Sequence, residues 1–281
     1  MSDISNRTYR DLAIPYFIEV FKLVDEVMKA NNVPYYLIGV TAADIQLLQQ
    51  GIKPSRGTKD IDFAVMVSSF AAYEKIKEGL ILQGFNQTKV PFTLYHAEYN
   101  VAIDLLPFGQ IEQSDTANFT EREITMNVLG FKETLQDPHV IPLDDTLSIQ
   151  VPPLHGMVVL KLISWSDRPE VRASDLDDIY RIISHYFDTE SDSIFGEHFD
   201  LLDTEPFDQK MIAAEVMGRK IGEILKKSSK LKNRVMKVLE ENTTDPVKSG
   251  IGKHWASKHQ IDIDYAISIL TSIKNGINRN L

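Results

Sequence analysis

A change of periodicity at Pro152 and Pro153 limits the fold more than any other feature of the chain. Upstream, short apolar runs alternate with helical stretches; downstream, the periodic segments all read as helix. Residues 13–30 read as an amphipathic helix ending near Asn31 and Asn32. "YYLIGV", Tyr35 to Val40, suits a buried strand, and "TAADIQLLQQG" follows as a helix with Thr41 as N-cap and Gly51 as stop. "DIDFAVMV" is the next strand; Ser68 or Ser69 then caps a helix through Leu82, closed by Gly84. "PFTLYHA" and "YNVAIDLLPFG" read as two more strands, and "REITMNVLGF" and "TLSIQVP" are expected to complete one mixed sheet. Beyond the prolines, "SDLDDIYRIISHYF" starts a helix at Ser174 with Ile179, Ile182, Ile183 and Tyr186 on one stripe. "PFDQKMIAAEVMGRKIGEILKK", "KLKNRVMKVLEEN" and "YAISILTSIKNGI" repeat that theme. The expected fold class is α+β (α/β-like): a small mixed sheet flanked by helices over residues 1–150, then a helical domain over residues 151–281.

Composition removes several function classes. The chain has 281 residues and no cysteine, which excludes disulfides, thiolate metal sites and cysteine nucleophiles and fits a cytoplasmic location. The start "MSDISNRTYRDL" has no signal-peptide core, and no apolar run is long enough to span a membrane. A net charge of −10 speaks against a protein that coats nucleic acid without regard to sequence. The histidines lack metal-ligand spacing, and His96 and His155 read as structural. No Walker-type loop and no serine-hydrolase elbow is present.

The chemistry gathers in "RGTKDIDFAV", residues 56–65. In a strand, Ile61, Phe63, Val65 and Val67 share one face, and Asp60, Asp62, Ala64 and Met66 share the other. Carboxylates at that spacing lie about 6 to 7 Å apart. Their repulsion is on the order of 2 to 3 kcal/mol at an effective dielectric near 20. Solvent at a strand end relieves it, or a divalent cation does. "NVAIDLL" repeats the pattern: Asp104 shares a face with Asn100, Ala102 and Leu106 in an apolar run. If the two strands are neighbours, three carboxylates converge. Hard oxygen donors of this kind suit Mg²⁺ or Mn²⁺, and two such ions can hold a nucleophile and a leaving pyrophosphate in line.

The order "LIG", helix, "RGTKDIDF", then "AIDL" resembles the DNA polymerase β-type nucleotidyltransferase superfamily. Within it the chain resembles the AbiEii-type nucleotidyltransferase toxins. "KLISWSDR" and "RASDLDDIYRI" extend the resemblance, so that it covers roughly residues 33 to 185. It implies transfer of a nucleoside monophosphate from an NTP, with Asp60, Asp62 and Asp104 as catalytic and Mg²⁺-binding (or Mn²⁺-binding) residues. It also implies that Gly39, Thr41, Arg56, Thr58, Lys161 and Arg168 contact the nucleotide, with Asp175 and Asp178 supporting. The acceptor could be a tRNA end, a protein hydroxyl or a small molecule, and a cognate antitoxin is an expected partner. The family's second small residue after the first strand is Val40 here. Thr41 either substitutes at the helix N-terminus, where N–H groups favour anions, or Val40 blunts nucleotide binding. The latter leaves a non-catalytic relic that works by contact alone.

Other candidates have two readings each. Lys161 is either a lysine snorkelling from an apolar helix or the triphosphate ligand that the resemblance implies. Asp175 and Asp178, at helical spacing, either complement the helix dipole or orient Lys161 or Arg168. "GRKIGEILKKSSKLKNRVMK" is either a solvated helical hairpin or a docking surface for RNA phosphates.

Overall fold

The computed structural model describes residues 12, 14, 16–54, 57, 58, 60–119, 123–203 and 205–281. The chain divides into two compact units, residues 1–153 and 154–281.

The first unit is built on a five-stranded sheet of order β1-β2-β5-β4-β3. Its strands are β1 (Tyr35–Ile38), β2 (Asp60–Val67), β3 (Phe85–Gln87), β4 (Thr93–His96) and β5 (Val101–Gly109). β2 and β5 run parallel and the other pairs antiparallel. A parallel pair cannot be joined by a tight turn. Here α3 (Phe70–Leu82) and the β3–β4 hairpin make the crossover.

Strand alternation sets the two faces of this sheet. Ile61, Phe63, Val65, Ile103 and Leu105 are fully buried. Two helices cover them, α1 (Phe17–Ala30) and α3. Phe21 of α1 stacks on Phe63 with ring centroids 6.2 Å apart, and the Tyr73 hydroxyl of α3 donates to the Leu105 carbonyl at 2.9 Å. Ser69 is the cap of α3, accepting the Ala72 N–H at 3.2 Å. His96 is part of the packing, as its sequence context suggested, stacked against Tyr99 and edge-on to Phe85.

Three expectations are corrected. Thr41 does not cap α2 (Gly39–Gln49). The helix begins at Gly39 behind an extended Ile38, with no side-chain cap, because Gly39 turns the chain through a left-handed φ of 69°. Strand β1 accordingly stops at Ile38 and not at Val40. The later strands do not join the main sheet. Among the described residues β6 (Thr116–Phe119) forms a two-stranded sheet with β7 (Ile124–Asn127), and β8 (His139–Pro142) one with β9 (Ser148–Val151). Sequence neighbours pair locally before distant ones compete. The short helix α4 (Phe131–Thr134) separates the two hairpins.

The second unit is helical: α5 (Leu154–Asp167), α6 (Ala173–Thr189), α7 (Ser191–Glu197), α8 (Gln209–Leu225), α9 (Ser229–Thr243), α10 (Gly250–His259) and α11 (Ile263–Arg279). α6 starts at Ala173 behind Arg172, one residue before the expected Ser174. Side chains cap four of the helices, satisfying first-turn N–H groups: Asp208 for α8, Ser228 for α9, Ser249 for α10 and Asp262 for α11. Trp255 is fully buried and donates its indole N–H to the Leu176 carbonyl at 2.9 Å. No helix among the described residues is long and apolar enough to cross a membrane.

α8 and α11 approach through glycine. A Cβ on Gly218 would lie 2.1 Å from the Ile273 carbonyl oxygen, and one on Gly276 would lie 2.1 Å from that of Glu215. Backbone cannot yield there without parting the helices. Gly218→Ala is therefore expected to cost about 1 to 3 kcal/mol of stability, the usual range for overpacking. Gly196→Ala in α7 meets nothing within 4 Å and should be neutral or stabilise by about 0.4 to 1 kcal/mol. Urea midpoints of the two variants check this; equal midpoints would show that the helices separate at little cost.

Candidate active site

The carboxylates come together through register. Ile38 at the end of β1 lies opposite Asp62, and Asp62 lies opposite Asp104 on the parallel strand β5. Asp60 starts β2 opposite Ala102. The three acids thus share the sheet face opposite the Ile61–Phe63 core. Asp60 is exposed, and Asp62 and Asp104 are half-buried.

Each acid has a distinct neighbour. A Cβ on Gly39 would fall 2.0 Å from Asp62 Oδ2. The carboxylate therefore occupies the space over the first residue of α2, where the positive end of the helix dipole favours an anion. Asp104 Oδ1 accepts the Thr93 hydroxyl at 2.5 Å. Thr93 is the β4 register partner of Asp104, a role that nothing in the sequence marks before the pairing is known. Thr58 accepts the Asp60 N–H at 3.3 Å and so shapes the entry to β2. The charge of Asp104 is felt nearby: burial first, then Glu74 and Asp104, hold the Tyr73 phenol well above its ordinary range.

Arg56 lies outside the described residues. Val40 is buried, and Thr41 is fully buried with its hydroxyl lacking a hydrogen-bond partner. Among the described residues, no group of three or more His, Cys, Asp or Glu side chains is gathered closely enough to form a metal site. Asp60, Asp62 and Asp104 share a face without closing on a common point.

In the helical unit Lys161 is buried and does not reach water, which removes the snorkelling reading. Its ammonium donates to Asp178 Oδ2 at 2.7 Å and to Asp175 Oδ1 at 3.2 Å. Burial works against the charge, but Asp178 and then Asp175 outweigh it, holding the ammonium above the usual lysine range. These two acids therefore serve Lys161 and not merely the helix dipole. Asp177, between them, instead meets His254 at 2.8 Å. Arg168 is exposed just past α5. His155 contacts the Tyr186 hydroxyl at 3.2 Å, in a packing role.

The basic stretch of α8 and α9 is largely answered by acids. Arg219 pairs with Asp200 at 2.5 Å, Lys220 with Glu190 at 2.5 Å, Lys226 with Glu223 at 2.9 Å and Arg234 with Asp167 at 2.9 Å. Most of these acids lie on other elements of the helical unit, which favours the solvated-hairpin reading over an RNA surface.

Two variants test these contacts. Gly39→Ala adds left-handed strain of about 1 to 2 kcal/mol and drives a methyl into the Asp62 carboxylate. Gly51→Ala carries similar strain at φ 76° but meets nothing within 4 Å. Thermal melts should show Gly39→Ala as clearly the less stable; equal melts would mean that Asp62 moves aside freely. Lys161→Ala leaves two carboxylates buried without their cation and should cost about 3 to 5 kcal/mol. Adding Asp175→Asn and Asp178→Asn to it should recover part of that loss, and a urea titration showing no recovery would dismiss the ion pair as the cause.

Comparison with known proteins agrees with the carboxylate pattern. A family model described as nucleotidyl transferase AbiEii toxin, Type IV TA system, matches residues 47–241. No curated protein gives a significant match. Among solved structures, the chain is similar to the antibiotic-resistance factor ANT(2'')-Ia, at 10% identity over 65% of this chain and 97% of that one, with a TM-score of 0.32. It is also similar to an antigenic nucleotidyltransferase-like protein from Paracoccidioides brasiliensis, at 14% identity over 80% and 92%, with a TM-score of 0.40. Both scores are low, so the assignment rests on the family model, which spans most of the chain and enters both units. This chain belongs to the AbiEii nucleotidyl transferase family.

Proposed function

We propose that the protein transfers a nucleoside monophosphate from an NTP to an acceptor hydroxyl and releases pyrophosphate. The observation that carries this reading is the pairing of Asp62 with Asp104 across parallel strands, beside a glycine that leaves room for the Asp62 carboxylate. Asp60, Asp62 and Asp104 offer only carboxylate oxygens, the donor type that suits Mg²⁺ or Mn²⁺. Such ions, when bound, would polarise the α-phosphate and screen the pyrophosphate charge.

The chain's own residues would do the rest. The N–H groups at the start of α2 would favour phosphate oxygens, beside the Asp62 carboxylate that fills the space over Gly39. The acceptor oxygen forms a bond to the α-phosphorus as the bond from phosphorus to pyrophosphate breaks, and the hydroxyl proton passes to Asp104. Thr93, bonded to one oxygen of Asp104, fixes the orientation of that base. The resemblance assigns Arg56, Thr58, Lys161 and Arg168 to the nucleotide as well. Within the helical unit the charge of Lys161 is already taken up by Asp175 and Asp178, whereas Arg168 is open to solvent. The family description names a toxin of a toxin–antitoxin system, which supports a cognate antitoxin as partner.

A second reading has its own observation. The Thr41 hydroxyl is buried, and Val40 stands where the family has a small residue. A non-catalytic member that acts by contact alone fits both facts.

Incubation with each α-labelled NTP, Mg²⁺ or Mn²⁺, and total RNA or protein extract separates the two. Label should pass to one acceptor class. Asp104→Asn should slow transfer by about 10² to 10⁴-fold, the usual worth of a positioned base, and Asp62→Asn should abolish it. Absence of both label transfer and NTP binding in the parent would support the contact-only reading.

A further inference from the structure

A cleft of about 910 Å³ opens in the first unit between α3, the β3–β4 hairpin and the β6–β7 hairpin. Its size lies within the range that encloses a small organic ligand. It also shares a residue with the carboxylate face: Thr93 lines the cleft and donates to Asp104.

The charge of the lining restricts what can enter. Among the described lining residues Lys77 is the one cation. Its ammonium is already held by both oxygens of Glu74, at 3.0 and 3.1 Å. Glu123 adds a negative charge that no further cation among the described lining residues matches. Against the described lining, a phosphate or carboxylate would lose hydration without gaining a counter-charge. The neutral part of the lining is of two kinds. Phe70 and Phe119 meet edge to face at 5.7 Å and form an aromatic wall. Gln87 supplies an uncharged donor and acceptor, and Thr125, whose hydroxyl donates to Asn118, an acceptor. Aromatic surface with neutral hydrogen-bonding groups suits a ring that carries hydroxyls.

We propose that this cleft holds the acceptor, an uncharged ring compound bearing hydroxyls, either a nucleoside or a glycoside, with one hydroxyl beside Thr93 and within reach of Asp104. Binding follows from the cleft alone; the acceptor role rests on the transfer reading above. In that role the hydroxyl oxygen bonds to the α-phosphorus of the NTP, pyrophosphate leaves with the broken bond, and the proton goes to Asp104.

The test uses the full chain without NTP or divalent ions. Saturation-transfer NMR is run with adenosine and cytidine as one arm, methyl glucoside and maltose as the other, and AMP as the charged control. At least one arm should bind, and AMP should bind more weakly than adenosine. Thr125→Trp and Gln87→Trp, at exposed positions on two walls of the cleft, should each weaken the bound arm about tenfold, a loss of about 1.4 kcal/mol. NTP binding should not change in either variant. Absence of binding in both arms, or binding unaffected by both tryptophans, overturns the site. Labelled NTP with Mg²⁺ is then added to the bound compound. Label on that compound supports the acceptor role, and label on RNA or protein but never on the compound overturns it. Label on nothing overturns the transfer reading instead, while the NMR result still stands as evidence for the site.

Discussion

The carboxylate of Asp62 and the backbone of Gly39 share a space that has no room for a Cβ. Much of the first unit is arranged around that approach. It requires a left-handed turn directly after β1, so the helix starts three residues earlier than a side-chain cap at Thr41 would allow. It requires β1 beside β2, with Ile38 at the level of Asp62. The parallel neighbour β5 then brings Asp104 to the same level from the other side. An acid, a helix start and a second acid thus meet at one end of the sheet, while Phe63 and Leu105, one residue further along, anchor the opposite face.

The alternation in "DIDFAVMV" was enough to separate the acidic face from the apolar one, because a strand's period of two leaves no other arrangement. The lone Asp104 in an apolar run was enough to suggest a neighbouring strand. Thr93 was not visible: its partner depends on antiparallel register, which a turn of one more residue would have shifted. Of the two hairpins only the second strand of each, β7 and β9, was readable; β6 and β8 were not, and strand pattern does not name the partner. The α8–α11 crossing was also hidden. Gly218 and Gly276 lie far apart in the chain, and only their meeting shows why neither can be alanine.

The helical unit shows that an isolated charge in an apolar segment can have partners its own segment does not reveal. Lys161 looked available because "MVVLKLIS" offers it nothing. Its partners lie one helix later, at Asp175 and Asp178, and the three charges are buried together. Such a triad adds little net stability over apolar packing of the same volume, yet it joins α5 to α6 at one register. The flanking Asp177, on another side of the same helix, turns to His254.

The acids that hold Arg219, Lys220, Lys226 and Arg234 have a consequence for a nucleic acid that meets this stretch. Cations that already hold carboxylates of their own protein displace few condensed ions when a phosphate backbone arrives. An RNA that met this stretch would gain little of the entropy that normally drives such association. The share of its affinity that came from these four cations would therefore change only slightly with ionic strength.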